Sequence, residues 1–275
     1  MPSSKNQPSP SHTLPSGRKR LSRLVREAGT IITIDVAVRA LSLTRAQASK
    51  LLSRWVRQGW LRRVKAGTYL VASLEALDRD QVLDDPFILV PHLFEKSYIG
   101  GRTAAHHWDL TEQLFRDVVV FTATAVRESE QTLHGVSFTI YRIQEEKLFG
   151  VKTIWRERTK VVISDIHRTI IDMLDNPACG GGIGQVSDCL SAYLNGEDYD
   201  RELLVSYGDR LGNGAVFKRL GFLTERLAGD ERLISDCRTR LTSGGAKLDP
   251  ALQCPNLVTR WRLFVPENWL PERGA

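Results

Sequence analysis

Between residues 18 and 59, apolar side chains recur at the spacing of amphipathic helices, in three short segments separated by turn residues. The first segment, RKRLSRLVREAG, stops at Gly29, and the second, TIDVAVRALSL, follows Thr33, whose hydroxyl suits an N-cap. The third, SLTRAQASKLLSRWVRQGW, has Thr44 as its capping residue and ends at Gly59. The pattern therefore predicts three consecutive short helices.

The third segment is the most informative, because at 100° per residue its side chains separate into two faces. The apolar face holds Ala48, Leu52, Trp55 and Val56, with Leu51 at its edge. The opposite face gathers Gln47, Lys50, Arg54 and Arg57. Such a helix buries one side in a core and presents amide and cationic donors on the other.

A basic hairpin is predicted directly after Gly59. The segment WLRRVKAGTYLV indicates two strands that turn at residues 65–67, with Arg62, Arg63 and Lys65 near the tip. Three short helices followed by a basic hairpin are typical of a winged helix-turn-helix domain, which we expect to span residues 18–80.

This predicted domain has a chemistry that suits DNA. An α-helix fits a major groove about 12 Å wide, and Gln47 is predicted to read adenine there, with Lys50 or Arg54 on guanine or phosphate. The hairpin cations are expected beside the sugar-phosphate backbone. The predicted DNA-binding residues are Thr44, Arg45, Gln47, Lys50, Arg54, Arg62, Arg63 and Lys65. A winged helix that binds protein, or a basic face that is only solvated, is the alternative.

The distribution of charge favours the nucleic-acid interpretation. Residues 18–65 contain thirteen Lys and Arg but only two acidic residues, so this stretch carries +11. The whole chain carries +6, which leaves −5 for the remainder. A basic head on a mildly acidic body indicates a polyanion-binding module joined to a second domain.

The flanking regions complete the predicted organisation. Residues 1–17 are rich in Pro and Ser and predict a disordered tail. Residues 81–275 predict a larger α+β domain, with the boundary between 72 and 85. We expect residues 86–110 to be helical in two pieces and RDVVVFTATA, GVSFTIYRI and TKVVISD to be strands. Helices then dominate from Ile166 onward, including NGAVFKRLGFLTERLAG, and RWRLFVP predicts a last strand.

The stretch DIHRTIIDMLDNPACGGG, residues 165–182, looks at first like an active site. Its apolar residues predict a helix behind an Asp165 cap that ends at Asn176-Pro177. Arg168 and Asp172 fall outside the apolar face, as a surface pair worth a few tenths of a kcal/mol. The glycines match neither a P-loop nor a dinucleotide fingerprint, although an anion at the following helix N-terminus is an open alternative.

No catalytic, cofactor-binding or metal-binding residues are predicted. Thr169 stands where the catalytic aspartate of a kinase loop would be, and His167 is interpreted as an ordinary helix residue. The adjacent His106 and His107 would point about 100° apart on a helix and could not share a metal ion. Four widely spaced cysteines, no signal-peptide pattern and no membrane-length apolar run lead us to expect a cytoplasmic protein with reduced thiols.

Taken together, four motifs resemble the AbiEi-type antitoxins of bacterial type IV toxin–antitoxin systems. These motifs are TRAQASKLLSRWVRQGWLRRVKAGTYLV, YIGGRTAAHHWDLTEQ, VVISDIHRTIIDMLDNPACGGG and VFKRLGFLTERL. The likeness covers most of residues 18–230, and Asp109 stands where the family usually has a glycine.

The resemblance implies two activities and no enzyme. The winged helix would bind inverted repeats in its own promoter as a repressor, and the C-terminal domain would neutralise a nucleotidyltransferase-like toxin without needing a stable complex. Arg168, Thr169, Asp172 and the glycines would then be structural or interaction elements. The alternatives are a DNA-binding regulator without a toxin partner and an atypical protein kinase that acts on the toxin, with Asp165 or Asp172 as the residue to test.

Overall fold

The computed structural model describes residues 16–72 and 83–270. The chain divides into two compact units, Met1–Arg79 with Glu157–Thr159 and Asp80–Arg156 with Lys160–Ala275, called unit 1 and unit 2 below. Each unit combines helices with a β-sheet, so the chain is a mixed α+β protein. The proposed boundary between 72 and 85 falls largely on residues 73–82, which lie outside the described residues.

Unit 1 consists of three helices and a three-stranded antiparallel sheet in the order β1-β3-β2. Its elements are α1 (Ser16–Ala28), β1 (Ile31–Thr33), α2 (Ile34–Leu41), α3 (Arg45–Arg57), β2 (Leu61–Lys65) and β3 (Thr68–Val71). The three predicted helices and the predicted hairpin are therefore present. The helix α1 begins at Ser16, two residues before the expected start of the domain at residue 18, and residues 1–15 of the predicted tail lie outside the described part.

Local chemistry explains where these helices begin and end. The Thr33 hydroxyl accepts a hydrogen bond from the Val36 amide at the start of α2. Gly29 and Gly59 follow α1 and α3 with φ angles of 75° and 74°, a conformation that costs glycine little. Leu24, Leu52, Trp55 and Tyr69 pack together in the buried core of the unit. The apolar face predicted for α3 is thus the face that packs, although Val56 is only half buried.

Unit 2 contains a six-stranded mixed sheet, a small three-stranded sheet and seven α-helices within its described residues. The strands of the larger sheet are β4 (Ser97–Ile99), β5 (Asp117–Thr122), β6 (Glu130–Leu133), β7 (Val136–Arg142), β8 (Val151–Arg156) and β9 (Thr159–Ser164). The helices are α4 (Val90–Leu93), α5 (Gly101–His107), α6 (Ile166–Asp175), α7 (Ile183–Leu194), α8 (Arg201–Leu211), α9 (Gly214–Arg226) and α10 (Glu231–Thr239). The smaller sheet has β10 (Ala246–Lys247), β11 (Asn256–Val258) and β12 (Leu263–Val265).

The larger sheet runs in the order β6-β7-β5-β4-β9-β8. The pairs β5–β7 and β4–β9 are parallel, whereas β4–β5 and β6–β7 are antiparallel. Apolar side chains from the sheet and from α6, α7 and α9 form one continuous core. The helix α6 therefore lies in the middle of the unit, with most of its residues buried.

The sequence-based prediction was correct for β5, β7, β9, β12, α6 and α9, and wrong around residues 97–99. That segment was expected to be helical but forms β4, which pairs with β5 on one side and β9 on the other. A three-residue strand has no periodicity of its own, so only its two neighbours define it. The edge strands β6 and β8 were not predicted, because neither presents a continuous buried face.

A substitution in the turn between β4 and α5 tests how closely the start of α5 approaches the backbone at Cys179. Gly101 has a φ of 55°, and a Cβ atom there would lie 2.4 Å from the carbonyl oxygen of Cys179. We expect Gly101→Ala to lower the free energy of unfolding by at least about 1–2 kcal/mol, because both the backbone conformation and the contact oppose a methyl group.

The matched control is Gly184→Ala in α7, where a Cβ meets nothing within 4 Å. Alanine should stabilise this helix position by roughly 0.5–1 kcal/mol. Denaturant unfolding of both variants measures the difference, and equal effects would contradict the close approach of α5 to the Cys179 carbonyl.

Candidate functional site

The N-terminus of α3 is held by a reciprocal pair of hydrogen bonds. The Thr44 hydroxyl accepts from the Gln47 amide at 3.2 Å, and the Gln47 side-chain oxygen accepts from the Thr44 amide at 2.9 Å. Reading adenine with two hydrogen bonds requires both the oxygen and the nitrogen of a glutamine side chain. The oxygen of Gln47 is engaged in the cap, so Thr44 and Gln47 together fix the N-terminus of α3.

Arg45 is also engaged within the protein. Its guanidinium lies 2.6 Å from the Asp35 carboxylate at the start of α2, and the two side chains are 70% and 65% exposed. An exposed pair of this kind contributes little stability. It does place a negative charge next to Arg45, which none of the other predicted DNA-binding cations has within the described residues.

The remaining cations of α3 line a shallow concave surface, called the α1–α3 cleft below. It measures about 780 Å³ and is lined by Arg20, Leu43, Gln47, Ser49, Lys50, Leu51, Ser53, Arg54 and Arg57. Four of the lining residues are cationic and none is acidic. Lys50 and Arg54 were predicted site residues, whereas Arg20 was not, because its position beside α3 depends on how two helices pack.

The hairpin cations do not share one face of the sheet. Neighbouring residues on a strand point to opposite sides, so Arg62 and Arg63 diverge. Arg63 is paired across β2–β3 with Tyr69, which packs into the helical core, so Arg63 lies on the helix side of the sheet. Arg63 and Lys65 are exposed, whereas Arg62 is half buried. The sequence places these three cations near the tip of the hairpin, but only the strand pairing shows which face packs on the helices and that the register shifts between Arg63 and Lys65.

In unit 2, the expectation of a surface pair at Arg168 and Asp172 is wrong. These side chains are 1% and 3% exposed, and the Arg168 Nε atom donates to Asp172 at 2.8 Å. Tyr98 from β4 completes the cluster: its hydroxyl donates to Asp172 at 2.9 Å and accepts from Arg168 at 3.1 Å. The polar side of α6 is buried because the unpredicted strand β4 and the loop before β8 cover it.

The surroundings of this cluster show what burial does to its charges. The Arg168 guanidinium lies 4.1 Å from the centre of the Phe149 ring, a cation–π contact. Burial raises the pKa of Asp172 to about 6 despite the neighbouring guanidinium. Burial likewise raises the pKa of the Tyr98 hydroxyl. Both oxygens of Asp172 already accept hydrogen bonds, so this carboxylate is placed to hold β4 against α6 and not to meet a substrate.

A carboxylate of the protein itself lies at the end of the glycine-rich segment, against the first turn of α7. Gly181 and Gly182 have φ angles of 90° and 96° and lead into the first turn of α7. The Ile183 amide donates to the Asp249 carboxylate at 3.0 Å, and Asp249 is 3% exposed. An internal carboxylate therefore occupies this helix N-terminus, where an external anion was the open alternative.

In the described part of the chain, the histidines and cysteines do not come together in a group that could hold a metal ion. The His167 Nδ1 atom lies 2.7 Å from the Tyr193 hydroxyl, and burial lowers the pKa of this imidazole. His106 and His107 are consecutive in α5, and the four cysteines are free thiols. Within residues 16–72 and 83–270, no group of three or more His, Cys, Asp or Glu could hold a metal ion.

Comparisons with known proteins bear on the fold. No protein-family model and no curated protein matches the chain. The chain is similar to the crystal structure of the RV2827C protein from Mycobacterium tuberculosis, with 14% identity, a TM-score of 0.61 and 92% of each chain covered. At this identity the similarity establishes a shared overall fold and nothing more. In the described residues, no helix is long and apolar enough to cross a membrane.

The raised pKa of Asp172 predicts a specific pH dependence of stability. Because the folded-state pKa of about 6 exceeds the ordinary value of 3.8, the folded protein favours the protonated carboxyl. The stability that this protonated carboxyl contributes is fully present below pH 3.8 and is lost as the pH rises through about 6. Relative to Asp172→Asn, which cannot titrate, the wild type should therefore lose up to roughly 3 kcal/mol between pH 4 and pH 7.

Denaturant unfolding of both proteins across this pH range measures the difference. If the two stability curves run parallel, Asp172 has the same pKa in the folded and unfolded states, which would contradict the raised pKa.

Proposed function

We propose that unit 1 is a winged helix-turn-helix module that binds double-stranded DNA, with α3 in the major groove and the β2–β3 hairpin beside the backbone. The order of its elements and the antiparallel hairpin after α3 support this assignment. So does the excess of positive charge between residues 18 and 65.

One observation carries the proposal. The exposed face of α3 presents Lys50, Arg54 and Arg57 at positions i, i+4 and i+7, in one row along the helix. None of the three has an ion-pair partner among the described residues. Like charges at this spacing destabilise a helix by a few tenths of a kcal/mol per pair. A polyanion removes this repulsion, which a purely structural helix face would instead relieve with acidic residues.

The individual roles follow from the geometry. Lys50 and Arg54 contact base edges or phosphates, since both are exposed and unpaired within the described ranges. Arg63 approaches the backbone from the helix side of the hairpin, where Arg62 does not point. Lys65 lies at the tip of the hairpin, beyond the register shift that follows Arg63. Thr44 and Gln47 position α3 through its cap, and Arg45 stays with Asp35 at the edge of the interface.

We further propose that the protein is a cytoplasmic antitoxin that represses its own promoter and neutralises a nucleotidyltransferase-type toxin through unit 2. The motif resemblance supports this assignment. The burial of Arg168, Asp172 and Asp165 agrees with structural roles for these residues. A kinase acting on the toxin would need an accessible base, and both carboxylates named for that role are at most 6% exposed. A regulator without a toxin partner is an alternative to the antitoxin.

Removing a single positive charge should show which face of the β2–β3 hairpin contacts DNA. Neutralising a cation that binds one phosphate reduces the slope of log K against log [salt] by about 0.9. We therefore expect Arg63→Gln to flatten the slope by about this amount, on the duplex from upstream of its own gene and on a scrambled duplex alike. Titrations at several salt concentrations provide the measurement.

Arg62→Gln is the control, since it removes the same charge from the next residue of the same strand. If the two variants behave identically, the assignment of faces is wrong. If the wild type binds both duplexes equally and weakly, unit 1 is not a sequence-specific DNA-binding module.

The two proposed activities should separate in the full-length chain. A Lys50→Glu/Arg54→Glu variant is expected to lose promoter binding, because it reverses two charges on the exposed face of α3. It should still protect cells from the toxin encoded by the neighbouring gene, because the substitutions lie outside unit 2. Reporter repression and cell survival, with variant and wild type at equal protein levels, are the two readouts.

Loss of protection at equal protein levels would contradict the division of labour. A wild type that represses but never protects would favour the regulator without a toxin partner.

A further inference from the structure

The α1–α3 cleft contains a cation that the proposed recognition helix does not supply. Arg20 belongs to α1, yet it lines the same surface as Lys50, Arg54 and Arg57 of α3. It is exposed and has no ion-pair partner among the described residues. The cleft thus collects positive charge from two helices, and its other lining side chains are neutral.

Arg20 also belongs to a run of three cations near the N-terminus of α1, where positive charge is unfavourable. The α1 segment 18–20 reads Arg-Lys-Arg, and the first turn of the helix contains no acidic residue. The amide dipoles of a helix place positive potential at its N-terminus, so cations there are destabilising unless an anion is close. The first turn of a helix usually carries acidic side chains, which this potential stabilises. The cations of segment 18–20 therefore do not stabilise α1 through its dipole, and a nearby anion would relieve the unfavourable interaction.

The dimensions of the cleft indicate what kind of anion it accepts. From Lys50 to Arg57, the row of cations spans about 10 Å along α3 at 1.5 Å per residue. Phosphates follow one another at every nucleotide of a strand, so a row of this length can face more than one phosphate of the same strand. The cleft is open and shallow, which suits a continuous strand better than an enclosed small molecule.

We infer that the α1–α3 cleft holds the sugar-phosphate backbone of one DNA strand, with Arg20 donating to a phosphate from α1 while α3 occupies the adjacent groove. This inference rests on the proposed DNA-binding function and specifies one of its contacts. The contact is independent of base sequence, because phosphates are the same at every position. Arg20 therefore contributes affinity and orientation, and discrimination between sequences comes from other residues.

The test compares Arg20→Gln with Arg18→Gln in the full-length protein. Both substitutions remove one positive charge near the N-terminus of α1, but two residues on a helix point about 160° apart. Arg18 is exposed and does not line the cleft. The net charge of the two variants is identical, so any difference between them reports the position of the charge.

The measurement is the dissociation constant at several salt concentrations, for the duplex from upstream of the protein's own gene and for a scrambled duplex. Arg20→Gln should flatten the salt dependence by about 0.9 on both duplexes and weaken both by the same factor. Arg18→Gln should leave the slope unchanged. Arg20→Lys, which keeps the charge, should restore the wild-type slope.

Three results would overturn the inference. Identical behaviour of the two glutamine variants, with the wild type still binding, would remove Arg20 from the interface and leave the proposed function intact. A loss confined to the upstream duplex would show that Arg20 reads bases. A wild type that binds neither duplex would overturn the proposed function together with this contact.

Discussion

The burial of one stripe of α3 determines the arrangement of everything else in unit 1. Leu52 and Trp55 are almost completely buried, so rotation of this helix about its axis is fixed by its packing. Once that side is committed to the core, Lys50, Arg54 and Arg57 must face outward. The reciprocal cap at Thr44 fixes where the helix begins, and thereby which residues fall in its first turn. Stability and candidate function thus occupy opposite sides of the same helix.

Unit 2 depends on a different kind of interaction, a buried ion pair. Arg168 and Asp172 are removed from water together, and Tyr98 and Phe149 surround them. Such a pair contributes little net stability compared with apolar side chains, but removing one partner leaves an uncompensated charge in the core. The cluster therefore acts as a constraint on the packing of β4 against α6. Its position in the protein interior distinguishes it from the exposed cations of the α1–α3 cleft, whose lining contains no acidic residue.

The same residue types therefore have two physical roles in one chain. Several arginines in unit 2 donate to carbonyl or carboxylate oxygens of the protein itself, as Arg219 does at the last turn of α6. Arg20, Arg54 and Arg57 in unit 1 have no ion-pair partner among the described residues. Because charged groups are stable when they are either hydrated or paired, the unpaired surface cations are the ones available to a polyanionic partner.

By itself, the sequence determined the three helices and the hairpin of unit 1 and the two faces of α3, since helical periodicity and capping residues act over a few positions. It also determined the long apolar strands β5, β7 and β9. The strand β1 was not predicted. Tertiary structure alone decided that residues 97–99 form a strand, that Arg168 and Asp172 are buried, that Asp249 occupies the N-terminus of α7 and that Arg20 joins the cations of α3. Each of these depends on a partner from another element of the fold, which local pattern does not specify.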